Sequence, residues 1–237
     1  MRYPAIEIAV QDPVGAAQAA HAGADRIELC VGLSATGGLT PTIGNIQACS
    51  TIISTHVLIR VRPGGFVYSE AEIEVMATDI SQAISAGADG VVIGAARSDG
   101  TLDIPALRYL IDHAHGAEVT LHRVFDTVPS RIDACHSIKD LGIKRILSSG
   151  GQSSAPAGAQ ELAMLVAHVP EIEIMAGGGI RPDNIDALAT TGVAAIHSSA
   201  STFVERGPAG PGGGAAPVQV TDEQAIRALV SKVQSWC

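Results

Sequence analysis

Residues 118–126 of the chain, Glu-Val-Thr-Leu-His-Arg-Val-Phe-Asp, bring a base, a cation and a carboxylate to one place: His122, Arg123 and Asp126. Val119 and Leu121 alternate with Thr120 and His122, the period-2 signature of a strand, so the three groups crowd its C-terminal end ahead of Pro129. Comparable residues end other apolar stretches. Glu7 lies in Ile6–Val10, Glu28 and Cys30 close Arg26–Cys30, and Arg60 and Arg62 close His56–Arg62. Ser148 and Ser149 follow Arg145, Gly177–Gly179 follow Met175, and His197, Ser198 and Ser199 follow Ile196. Each has an ordinary explanation as a solvated strand end or an internal ion pair. Together they suit acid–base chemistry on a small anionic ligand.

Roles follow from residue type. Glu28 and His122 are expected to exchange protons, with carboxylates holding the histidine near its useful pKa. Arg60 or Arg62 is placed to stabilise developing negative charge, beside Asp126 as a further catalytic candidate. Glu7, Arg62, Arg123, Ser148, His197, Ser198 and Ser199 are expected to bind substrate. The run Met175-Ala-Gly-Gly-Gly-Ile resembles a phosphate-gripping turn, with Gly177, Gly178 and Gly179 offering backbone N–H groups ahead of a helix over 184–190. A tight turn that merely needs positive φ is the plainer alternative.

The elements that must position these groups alternate. Eight apolar strands are predicted, at 6–10, 26–30, 56–62, 90–94, 119–125, 145–149, 172–176 and 194–198, with helices that include 16–22, 106–115, 132–141 and 184–190. Ser69 and Glu72 form a capping box before a helix carrying Ile73, Met76, Ile80 and Ile84 at helical spacing. A short repeat punctuates the series: Ala22-Gly-Ala-Asp-Arg-Ile, Ala86-Gly-Ala-Asp-Gly-Val, Leu141-Gly-Ile-Lys-Arg-Ile and Thr191-Gly-Val-Ala-Ala-Ile. In each, a glycine ends a helix shortly before every second strand. Eight βα units close most naturally into a single-domain (β/α)8 TIM-like barrel over residues 1–237. A doubly wound sheet lacks its glycine fingerprint after the first strand. Gly207–Pro217 is expected to be a flexible loop, and 222–235 a C-terminal helix.

Composition sets limits. With 46% hydrophobic residues the chain can bury a large core, and a net charge of −9 opposes nucleic-acid binding. No apolar run is long enough to span a bilayer, and Glu7 interrupts the first apolar stretch, unlike a signal peptide. A cytoplasmic protein is expected, and apolar surface helices would allow a homodimer. Cys30, Cys49, Cys135 and Cys237 have no zinc-type spacing and are expected to be free thiols.

With these blocks assembled, the chain resembles the CutC family of copper homeostasis proteins. The resemblance rests on Gly23-Ala-Asp-Arg-Ile-Glu-Leu-Cys30, Leu39-Thr-Pro41, Ile59-Arg60 through Tyr68-Ser69, Leu121-His-Arg-Val-Phe-Asp126, Arg145-Ile-Leu-Ser-Ser-Gly150, Gly177-Gly-Gly-Ile180 and His197-Ser-Ser-Ala200. It implies a TIM-like barrel, cytoplasmic and often dimeric, and Cu(I) held by cysteines at the ends of strands one and two. Cys30 matches the second position. The first, by the family's Glu-x-Cys pattern, is Ala9 here. A lone thiolate is a poor Cu(I) site, because linear coordination needs two soft ligands. Three functions follow: the copper homeostasis role that the resemblance implies, a lyase, isomerase or hydrolase acting on a phosphorylated or carboxylated metabolite, and a non-catalytic ligand-binding barrel.

Overall fold

The computed structural model of the chain describes residues 3–205, 207 and 217–236. Eight strands close into a parallel barrel in sequence order: β1 (Ala5–Val10), β2 (Arg26–Leu29), β3 (Thr55–Leu58), β4 (Gly90–Ile93), β5 (Glu118–Leu121), β6 (Arg145–Ser148), β7 (Glu173–Gly177) and β8 (Ala195–Ser198). The ring is completed where β8 pairs with β1, in the register Glu7↔His197. The expected (β/α)8 barrel is the fold.

Helices cover the outside: α1 (Pro13–His21), a single turn α2 (Leu33–Thr36), α3 (Ile43–Ser50), α4 (Glu70–Ser85), α5 (Ile104–Asp112), α6 (Arg131–Ile138), α7 (Ala159–His168) and α8 (Glu223–Gln234). The main apolar core lies between this layer and the barrel, where Ile8, Leu29, Val57, Ile93, Leu121 and Ile146 meet Ile46, Met76, Ile80, Leu107 and Leu162. Ser69 and Glu72 make the expected reciprocal cap on α4. The repeated glycines Gly23, Gly87, Gly142 and Gly192 all have positive φ; the first three follow α1, α4 and α6, and Gly192 follows a 3-10 turn.

Several boundaries differ from expectation, and the differences matter for the site. The third strand stops at Leu58, so Arg60 and Arg62 belong to the following loop. The fifth stops at Leu121, and Arg123–Thr127 is a 3-10 turn capped by the His122 side chain. The expected helix over 184–190 is only a 3-10 turn, Ile185–Leu188. A hairpin of β9 (Ser201–Val204) and β10 (Val218–Thr221) was not predicted. Most of the Gly207–Pro217 segment between them lies outside the described residues.

The barrel interior is polar at its N-terminal end. Arg145, almost fully buried, donates to Glu118 at 2.9 Å, to Glu173 at 2.9 Å and to Thr120 at 3.1 Å, tying β5, β6 and β7 together. His56 lies 3.7 Å from Glu118 on the β3 side. Above this plug, Leu147, Met175 and Ala195 fill one half of the barrel, and Cys30, Leu58 and Val92 the other.

Candidate functional site

The C-terminal ends of the strands open into a cavity of about 440 Å³. Of the expected site residues, Glu28, Arg60, His122, Arg123, Gly178, Gly179, His197, Ser198 and Ser199 line it. Sequence reasoning did not anticipate Phe66, Arg181 or Gln219, which line it as well.

On its floor, His197 is held between two carboxylates. Its Nδ1 lies 2.8 Å from Glu7, and its Nε2 lies 3.3 Å from Glu28. Glu7 is completely buried and also accepts from Arg26 Nε at 2.5 Å, while Arg26 reaches Met175 Sδ at 3.4 Å. Pairing dictates this geometry. β1 and β2 set Glu7 beside Arg26, β1 and β8 set Glu7 beside His197, and the two-residue repeat of β2 brings Glu28 to the same face as Arg26. Arg26 was not expected in the site; the register Glu7↔Arg26 and the Arg-x-Glu spacing are the signals that point to it.

Electrostatics separates the two carboxylates. Burial pushes Glu7 up, but the bond from His197 and the charge of Arg26 outweigh it and hold the group well below the usual range. Burial pushes Glu28 up to about 7, with the charge of Glu7 adding to the effect against the pull of His197. Burial disfavours the charged form of His197, yet the hydrogen bond to Glu7 and the charges of both carboxylates raise it. A permanently ionised Glu7 therefore supports an imidazolium, and Glu28 titrates where a proton can be given or taken at neutral pH.

His122 is held by a different set of contacts. Its Nδ1 accepts from the Val124 N–H at 3.0 Å, and burial, followed by the charge of Arg60, pushes its pKa down to about 3. The histidine that the structure brings against Glu28 is His197, at 3.3 Å. The backbone turns after Leu121, and this local cap holds the His122 ring neutral.

Other expected residues hold loops. Asp126 accepts from Ser148 Oγ at 2.6 Å, Ser149 Oγ at 3.0 Å, Gly151 N at 3.1 Å and Arg123 Nε at 2.8 Å, so it anchors the β6–α7 loop below the rim. Arg62 turns away to Glu72 and to the carbonyls of Gly65 and Val67. Arg60 donates to the carbonyls of Thr36, Gly38 and Gly64 at 2.8–3.0 Å, which leaves its Nε free. Ser198 Oγ donates to the Ile180 carbonyl.

Gly177 is closely packed, and a Cβ there would collide with Leu147 Cδ1 and come within 3.2 Å of His197 Cβ. Gly178 and Gly179 have φ of +109° and +65°, and a Cβ on Gly178 would come within 3.1 Å of Arg123 Nη1. These glycines let the β7 turn close over Arg123. Only a 3-10 turn follows them, so no α-helix N-terminus stands behind these glycines, and Arg60, Arg123 and Arg181 bring positive charge to the cavity.

The residues present do not fit Cu(I). Cys30 is buried between Leu58 and Val92, and burial, then the charge of Glu28, push its thiol far above the ordinary range. The neighbouring strand-one position is Ala9, and Cys49 belongs to the outer core with its thiol pushed up to about 11 by burial. Glu7, Glu28 and His197 come close enough to share a harder cation. Arg26 already occupies Glu7, however, and its charge opposes a second cation there.

The model of the CutC family matches residues 4–202. A CutC family protein of Agrobacterium fabrum is 42% identical over 231 residues, covering 94% of this chain and 92% of the relative. One from Caulobacter vibrioides is 44% identical over 197 residues, covering 82% and 80%. The crystal structure of the copper homeostasis protein CutC from Streptococcus agalactiae superposes with a TM-score of 0.78 at 29% identity, covering 83% of this chain and 98% of that one. The matched span runs from β1 into β9 and covers all eight strands of the barrel, and the chain belongs to the CutC family.

Proposed function

We propose that the cavity binds a small anionic metabolite and that Glu28 and His197 move a proton on it, making the chain a barrel enzyme of the lyase, isomerase or hydrolase type. The observation that carries this reading is the clamp on His197. An imidazole between a carboxylate kept ionised by Arg26 and one near neutral pKa is arranged for proton transfer.

Glu28 faces the cavity and exchanges protons with the ligand. His197 stabilises the charged form of Glu28, and Glu7 fixes the orientation of the ring. Arg123 and Arg181 draw the anion to the mouth. Copper homeostasis is in the name of a relative, but a single protonated, buried thiol supports the metabolite reading over Cu(I) capture. An acidic chain whose described helices are all too short to cross a membrane suits work on a diffusible cytoplasmic compound.

Thermal stabilisation by a panel of small carboxylated and phosphorylated metabolites tests binding. Exchange of ligand C–H for solvent deuterium, followed by NMR with Glu28→Gln and His197→Asn as controls, then tests proton transfer. Stabilisation without exchange or turnover would leave a binding barrel and sink the enzyme reading.

A further inference from the structure

Two nitrogen donors on the other side of the cavity have no hydrogen-bond partner among the described residues. His122 Nε2 and Arg60 Nε are both buried and unpaired, and both residues line the cavity. Phe66 holds them together: its ring centroid lies 4.6 Å from that of His122 and 5.3 Å from the Arg60 guanidinium carbon. Phe66 is itself tied to the rim, where its carbonyl accepts from Ala96 N–H at 2.9 Å.

The His122 tautomer is fixed. Because Nδ1 accepts from Val124 N–H, the ring proton is on Nε2, the unpaired atom. Gly94 leaves space for this orientation, since a Cβ there would collide with the imidazole. A buried N–H without an acceptor is costly, and an oxygen brought by a bound ligand would supply the missing acceptor.

We infer that His122 Nε2–H and Arg60 Nε–H form a donor pair for a ligand oxygen that gains negative charge, and that the ligand is therefore a carbonyl compound with an acidic α-hydrogen. The inference rests on the proton-transfer reading for its chemistry and extends it to a substrate class. Ionised Glu28 takes the proton from the α-carbon, and the C–H electron pair forms the new C=C bond. The carbonyl π pair moves onto oxygen, which the two N–H groups hold. Protonated Glu28 then returns the proton to the α-carbon or its neighbour, and the charge on oxygen collapses. His122 donates a hydrogen bond throughout and never exchanges its own proton.

Two measurements test the pair without a known substrate. In protein labelled with 15N-histidine, His122 should remain the neutral Nε2–H tautomer from pH 5 to pH 8. An imidazolium at pH 6, or an Nδ1–H tautomer, overturns the inference. Calorimetric titration with oxalate, a planar mimic of a 2-oxo acid enolate, should show binding that weakens roughly 10- to 100-fold in His122→Phe, which keeps the stack on Phe66 but removes the donor. His122→Gln should restore part of the loss. Wild-type protein that binds no oxalate, or His122→Phe that binds it equally well, overturns the inference. Oxalate bound through His122 by a protein that never exchanges ligand protons would preserve the donor pair and sink the enzyme reading. Exchange that survives in His122→Phe would do the reverse.

Discussion

The Glu28 carboxylate lies 3.3 Å from Nε2 of His197, and it is the member of the Glu7–Glu28 pair that no arginine neutralises. Its pKa, raised from 4.5 to about 7, means that the folded chain holds this proton more tightly than the unfolded chain does. The contribution of Glu28 to stability should therefore fall as pH rises from about 4.5 through about 7 and level off above that. The raised pKa of His197 acts in the same direction, because its imidazolium is stabilised only while protonated. Glu28→Gln removes most of this dependence. Relative to wild type, it should gain about 2 kcal/mol between pH 5 and pH 8, as read by urea unfolding.

Glu7 behaves oppositely. It is the buried counter-ion of Arg26, so Glu7→Gln leaves a guanidinium without its charge partner inside the barrel. A loss of about 3–5 kcal/mol is expected. The double substitution Glu7→Gln with Arg26→Met should recover much of it. Equal losses in the single and double variants would show that the cost lies elsewhere.

Gly94→Ala places a methyl group against the His122 imidazole and within 2.6 Å of Val124 Cγ1. The ring must tilt and the Val124 N–H bond must lengthen. A cost of about 1–3 kcal/mol is expected in denaturant unfolding, with a changed His122 signal in the histidine NMR spectrum. Full stability with an unmoved ring would contradict the packing described.

Cu(I) titration under reducing, anaerobic conditions should find no tight stoichiometric site, and Cys30→Ala should titrate as wild type does. The buried thiol is kept protonated, and Ala9 offers no second sulfur. Tight binding lost in Cys30→Ala would restore a copper role and require a ligand that the geometry does not show.

The barrel was legible because its signals are local and repeated. Strand periodicity and helix-ending glycines at Gly23, Gly87, Gly142 and Gly192 need only neighbours in sequence. The resemblance named the correct family for the same reason. Site roles were less legible because they depend on pairing across strands. Glu7, Arg26 and His197 meet only through the β1–β2 register and the closing β8–β1 pair, some 190 residues apart in sequence. His122 looked like the active base because it follows a strand beside Arg123 and Asp126. One backbone N–H, from Val124, occupies its Nδ1, and nothing in the residue types announces it. Asp126 likewise reads as a reacting carboxylate, and the Ser148, Ser149 and Gly151 donors that converge on it come from more than twenty residues further along the chain.

The plug around Arg145 divides labour along the barrel axis. By binding Glu118, Glu173 and Thr120 it fastens three adjacent strands at the end remote from the cavity, with residues that do not line it. The upper layer is thereby released from much of the task of keeping the ring closed. A substitution such as alanine for the expected thiol at position 9 then alters the chemistry of the mouth and leaves the architecture untouched. Such a scaffold is evolvable: selection can trade one ligand for another at the rim while the base continues to fold the chain.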